Sequence, residues 1–188
     1  MIRKAFVVVF LVLSGCAVTS TEQAYLSRDF IYNLPSNPWS GDPISALQQV
    51  TITHGKTASK FQAVLALKPG SAKIVLLDMT GRRAMDMDWT REGLETKTAS
   101  WLPQNIAAPD ILAHIVLAFW PVESAKLGLP ITGQMTTNGN NRSITSEGRK
   151  LIEIRSDSHN LWVSKTEILH LDNGMKLTIS SSLLAVEK

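Results

Sequence analysis

The sequence predicts one mainly β domain of roughly ten or eleven antiparallel strands with a few helices. Three observations predict it. From about residue 25 onward, apolar and polar residues mostly alternate, the period of a strand that buries one face and wets the other. Turn-forming residues interrupt that alternation roughly every eight to twelve positions, as antiparallel hairpins require. The sustained exception is residues 109–120, apolar at almost every position and too long for a strand, which reads as a helix.

The residues before this domain have a different character. Arg3 and Lys4 precede an unbroken apolar run, residues 5–13, far shorter than the ~20 residues that span a bilayer. That order of charge, apolarity and small residues is the order of an export signal, assigned here to residues 1–15. Leu13-Ser14-Gly15-Cys16 resembles a lipobox, in which cleavage falls before a cysteine whose sulfur carries diacylglycerol. Cys16 is the only cysteine, so no internal disulfide can form. Cys16 is therefore the expected lipid attachment point, and residues 16–24 the acylated start and tether of a single domain covering 25–188. One acyl chain, at ~0.8 kcal/mol per buried methylene, binds a membrane only marginally, so several are expected. Ala17 stands where an aspartate would retain a lipoprotein in the inner membrane. The expected location is thus the periplasmic face of the outer membrane. Without Arg3 and Lys4, the 19 basic residues fall to 17 against 16 acidic ones, a balance that gives no nucleic-acid footprint.

Within the domain, Phe61, Ala63, Leu65 and Leu67 alternate with Lys60 and Gln62 until Pro69-Gly70 turns the chain. Residues 73–79 are apolar on both faces, as a strand covered from two sides would be, and Thr80-Gly81 turns next. In the following strand Met85, Met87 and Trp89 share one face, with Met79 expected beside them, while Ala84, Asp86 and Asp88 share the other. Ile152 and Ile154 alternate with Glu153 and Arg155, and residues 160–170 and 175–184 flank a hairpin turn at Asp172-Asn173-Gly174. Pro109 and Asp110 suit a first helical turn and Pro121 ends the helix. Ile111, Leu112, Ile115, Val116, Leu117, Phe119 and Trp120 point all round it, and His114 is its polar member. A helix with no solvent face must be enclosed by the sheet, a ligand or a membrane.

No catalytic signature accompanies this pattern. There is no G-x-S-x-G elbow, no phosphate-cradling glycine loop, and no metal-ligand spacing among His54, His114, His159 and His170. The expectation is a protein that is not an enzyme and uses no cofactor or metal. Asp86 and Asp88 lie about 7 Å apart on one strand face, but no further oxygen ligands follow at calcium-loop spacing, so they read as a solvated face. Asn141-Arg142-Ser143 fits the glycosylation triplet, yet its asparagine- and glycine-rich surroundings read as a hairpin loop. Met85, Met87 and Trp89 are of the kind that line adaptable cavities, and equally of the kind that pack ordinary cores. Together with Ile111, Leu112, Ile115, Phe119 and Trp120 they are the candidate wall of a hydrophobic cavity. Two functions fit: a carrier enclosing a void, or an assembly scaffold with a solid interior that acts through protein contacts. An apolar cavity of ~300 Å3 or more separates the first from the second.

The lipobox, Asn33-Leu34-Pro35, the hairpin from Phe61 to Asp78, Thr80-Gly81-Arg82 and Ala108-Pro109-Asp110-Ile111-Leu112 with Phe119-Trp120-Pro121 together resemble a family of outer-membrane lipoproteins of unknown function (domain of unknown function 3261). Its members are often encoded in aryl-polyene clusters and are similar to LolB, the outer-membrane receptor that accepts lipoproteins from the periplasmic carrier LolA. The resemblance implies a curved, open antiparallel half-barrel whose apolar concave side is covered by the helix. It also implies a cavity for a lipid-like or aryl-polyene-like molecule or a lipoprotein acyl group, with a LolA-like carrier as partner and the outer membrane as destination. One departure is the turn Lys68-Pro69-Gly70-Ser71, short and polar where LolB carries a projecting loop with an exposed leucine.

Overall fold

The computed structural model describes residues 22–103 and 106–185. Cys16, the lipobox and the apolar run before it lie outside the described residues. The first element is a hairpin of β1 (Gln23–Ser27) and β2 (Phe30–Asn33). It begins inside the stretch read as tether, where Ala24 is already fully buried. Ten further strands form one antiparallel sheet: β3 (Ile44–His54), β4 (Thr57–Lys68), β5 (Ser71–Asp78), β6 (Arg83–Thr90), β7 (Gly93–Thr98), β8 (Gly133–Asn138), β9 (Asn141–Ser146), β10 (Arg149–Ser156), β11 (Ser164–His170) and β12 (Lys176–Leu183). Their spatial order is β7-β6-β5-β4-β3-β12-β11-β10-β9-β8, so every neighbour is a hairpin partner except the closing pair β3–β12. The sheet curves without closing, since its edges β7 and β8 do not pair with each other.

Two helices interrupt the strands between β7 and β8. Helix α1 (Ala108–Phe119) takes Pro109 in its first turn and ends before Pro121; α2 (Val122–Lys126) follows at once. Ten of the twelve residues of α1 are buried, so the all-apolar helix is enclosed by protein. The sheet covers one side of it. The β1–β2 hairpin covers another, with the Tyr25 N–H donating to Asp110 Oδ1 at 2.9 Å and the Tyr32 hydroxyl to the Ala125 carbonyl at 2.8 Å.

Alternation sets which side chains face inward, and a register shift between β5 and β6 amends it. On β5, Ala72, Ile74 and Leu76 are buried, whereas Lys73 is exposed and Val75 and Leu77 are half-buried. This corrects the expectation of a strand covered on both faces: its outer apolar residues lie on the uncovered convex side. A bulge between Leu76 and Leu77 leaves Ala84 extra on β6, so Ala84 turns inward beside Met85 and does not share the face of Asp86 and Asp88. Met79 is also corrected. It is 54% exposed because β5 stops at Asp78, whose carboxylate accepts the Thr80 and Arg82 N–H groups and forces the turn. Asp86 and Asp88 face outward and pair with Arg83 and Lys73 at 2.8 Å each.

Candidate functional site

The two ends of α1 meet different surroundings. At its C-terminal end the interior is filled with aromatic rings. Trp120 stands edge-on to Trp39 with centroids 4.9 Å apart and lies nearly parallel to Trp89 at 6.5 Å, and Phe119 packs against Trp162 at 5.2 Å. The Trp120 indole N–H donates to the Pro38 carbonyl. Arg142, buried on β9, donates from one guanidinium nitrogen to the Leu117 and Trp120 carbonyls, both at 2.8 Å. Those are carbonyls that a helix end leaves without intrahelical partners, and a cation also suits the negative end of the helix dipole. The asparagine-rich hairpin tip therefore ends at Asn141, and Arg142, read in the sequence as loop, is an inward strand residue.

At the N-terminal end the side chains do not fill the space. A cavity of about 460 Å3 lies between α1 and the inward faces of β3, β4, β11 and β12, with β1 at its margin. Its wall is mostly apolar, including Val50, Ile52, Phe61, Ala63, Leu177 and Ile179. Tyr25, His54, Ser59 and Asn173, all exposed, mark its rim. A second concavity of about 340 Å3, near Asp29, Glu147 and Arg149, is lined largely by polar residues.

Of the eight residues predicted to line a cavity, Ile111 and Ile115 do so. Met85, Met87, Trp89, Leu112, Phe119 and Trp120 do not line it, a correction: all six are buried core residues, the aromatic ones packed at the filled end. Strand and helix periodicity identifies inward positions, but whether facing side chains meet or leave a gap depends on their summed volume.

Three buried polar side chains stand in the cavity wall. Gln48 on β3 is fully buried; its amide nitrogen donates to the Ser181 hydroxyl at 3.2 Å, and its Oε1 has no hydrogen-bond partner among the described residues. His114 of α1 and His170 of β11 bring their Nε2 atoms to 2.8 Å. The Asp110 carbonyl can only accept, so His114 carries its hydrogen on Nδ1. The neutral ring then accepts at Nε2, and His170 donates to it. Burial, reinforced by the positive charge His170 would carry, pushes the His114 pKa down to about 4 against the pull of the Asp110 carbonyl. Burial pushes His170 down as well, against upward pulls from Asp172 and the Leu26 backbone. The pair is therefore uncharged at neutral pH.

Sequence reading did not find Gln48 or the histidine pair. Gln48 had a signal: it occupies an inward position in the series Ala46, Gln48, Val50, Ile52, where an apolar residue belongs. The histidines are 56 positions apart, and only the fold brings them together. Among the described residues no cluster of three or more metal-ligating side chains occurs, and no helix is long and apolar enough to cross a membrane.

These features define a half-open β sheet closed over a partly empty interior by one helix, and the class has a family. The chain belongs to the family described as Protein of unknown function (DUF3261), whose model matches residues 45–183. No curated protein matches the chain significantly. Among solved structures it is similar to the crystal structure of LolA superfamily protein NE2245 from Nitrosomonas europaea. That likeness has 8% sequence identity and a TM-score of 0.42, and covers 81% of this chain and 92% of the other.

Proposed function

We propose that this protein is a non-enzymatic carrier or acceptor that shelters a lipid-like or polyene-like molecule, or a lipoprotein acyl group, and assists its transfer to the outer membrane. In this reading acyl chains on Cys16 hold it to the periplasmic face of that membrane, and a LolA-like carrier delivers the guest. The observation that carries the proposal is the apolar cavity of about 460 Å3 at the N-terminal end of α1. A scaffold with a solid interior would have no use for it. At about 25 cal/mol per Å2, covering a few hundred Å2 of hydrocarbon stabilises a complex by several kcal/mol before ordering costs, which suits reversible transfer.

The test uses the chain from residue 17 onward, which lacks the attachment cysteine and keeps every described element. The expected result is co-purified lipid in native mass spectra and saturable uptake of the apolar fluorophore N-phenyl-1-naphthylamine. A protein that carries no lipid and takes up no fluorophore is not a carrier.

A further inference from the structure

We infer that the guest is a lipid bearing an uncharged hydrogen-bond donor, a hydroxyl or an amide N–H, and that the side-chain carbonyl of Gln48 receives that donor. The inference rests on the carrier reading and adds to it the polar group of the ligand and the residue that reads it.

Shape comes first. Gln48 and His54 both line the cavity and stand six residues apart on β3, so the space extends roughly 20 Å along the strand at about 3.3 Å per residue. Across the sheet it is bounded by five neighbouring strands, from Leu76 of β5 to His170 of β11, so it is broader than one extended chain. Gln48 is fully buried and His54 exposed, so the amide marks the deep end and His54 the mouth.

Chemistry follows. Among the described residues no Lys or Arg lines the cavity, and the histidine pair is neutral, so none of them compensates a phosphate or carboxylate. The wall instead presents an acceptor. Ser181, directly across the β3–β12 ladder from Gln48, takes the amide hydrogen and leaves Gln48 Oε1 without a donor among the described residues. Buried carbonyls in native proteins are nearly always satisfied, and this one belongs to a residue in the wall of a space large enough for a guest. A hydrocarbon alone would leave Gln48 stranded, whereas a donor-bearing chain completes it. A site built to hydrogen-bond a ligand group rejects the analogue that lacks it.

The experiment sets dodecan-1-ol against undecyl methyl ether, which has the same number of heavy atoms and keeps the oxygen but cannot donate. Each competes with bound N-phenyl-1-naphthylamine on the chain from residue 17 onward. The alcohol should displace the fluorophore at about a tenfold lower concentration, the factor expected for one buried hydrogen bond. In Gln48→Leu the two should converge to within about twofold, because the unpaired acceptor is gone. Gln48→Met replaces it should the leucine variant not fold. Equal displacement by both compounds in the natural protein overturns the inference and leaves the carrier reading standing. Selectivity that survives in the Gln48 variants also overturns it, since the donor would then be met elsewhere. Displacement by neither compound, with no fluorophore bound, overturns both readings together.

Discussion

Replacing Arg142 by methionine removes the guanidinium that holds the C-terminal end of α1 to β9. Its two bonds to the Leu117 and Trp120 carbonyls are both 2.8 Å long and charge-assisted. Such bonds contribute ~1.5–3 kcal/mol each, so their loss amounts to roughly 3–6 kcal/mol. Part of this is offset. Arg142 is buried with no carboxylate partner among the described residues, burial lowers its pKa, and methionine carries no charge to desolvate. The net loss should be about 2–4 kcal/mol, a large share of the ~5–15 kcal/mol by which domains are stable. With m near ~2 kcal/mol/M, the urea midpoint should fall by about 1–2 M. Tryptophan fluorescence is the direct assay, since Trp39, Trp89, Trp120 and Trp162 cluster around the helix end. Arg142→Lys, with a point charge that cannot reproduce the guanidinium geometry, should retain about half of the stabilisation. A midpoint shift below about 0.3 M for the methionine variant would refute the claim that Arg142 fixes this helix end.

Two further outcomes follow from the cavity wall. His114 and His170 are held below their ordinary pKa, so their contribution is fully present above pH ~6.5, where the unfolded rings are also neutral, and is lost as pH falls toward the folded value. For His114, at about 4, the loss should approach about 3 kcal/mol, and a His114→Leu/His170→Leu double variant should unfold with a visibly flatter pH dependence between 7 and 4. An unchanged slope would show that the pair is not what titrates. Ala63→Leu should raise stability by up to about 2 kcal/mol, because the added carbons enter vacant space beside Gln48 and Leu76, while fluorophore affinity falls. In a filled core the same change costs about 1–3 kcal/mol, so the sign of the midpoint shift decides.

Much of the fold was legible because it is built from period and punctuation. Ile152 against Glu153, and Phe61 against Gln62, announce strands with one buried face, and Pro109 with Pro121 brackets α1 within a residue of its observed ends. The misreadings have local causes. Ala84 followed the simple alternation in sequence but sits at a bulge, where the count slips by one. Arg142 follows a run of asparagines that does form a turn, and nothing in linear order says that the turn stops one residue before it. The two-sided burial expected of residues 73–79 failed because Val75 and Leu77 are apolar on a face that no other layer covers among the described residues.

The cavity was the least legible feature, for a reason more general than any one residue. An apolar helix under a curved sheet produces inward side chains at regular intervals whether or not they touch. What decides is bulk: Phe119 and Trp120 meet Trp39, Trp89 and Trp162 at one end, while Ile111 and Ile115 face Val50, Ile52 and Ala63 at the other. Tryptophan and phenylalanine bury 150–250 Å2 each, so the same layer spacing that closes over the rings leaves a gap over smaller residues. The division also separates two tasks. Arg142 and the aromatic cluster fix the helix at the filled end, and with that end immobile the sheet need not collapse onto the void. On this argument, loosening the filled end and blocking the empty one are separable perturbations, and only the second should abolish binding while leaving the fold intact.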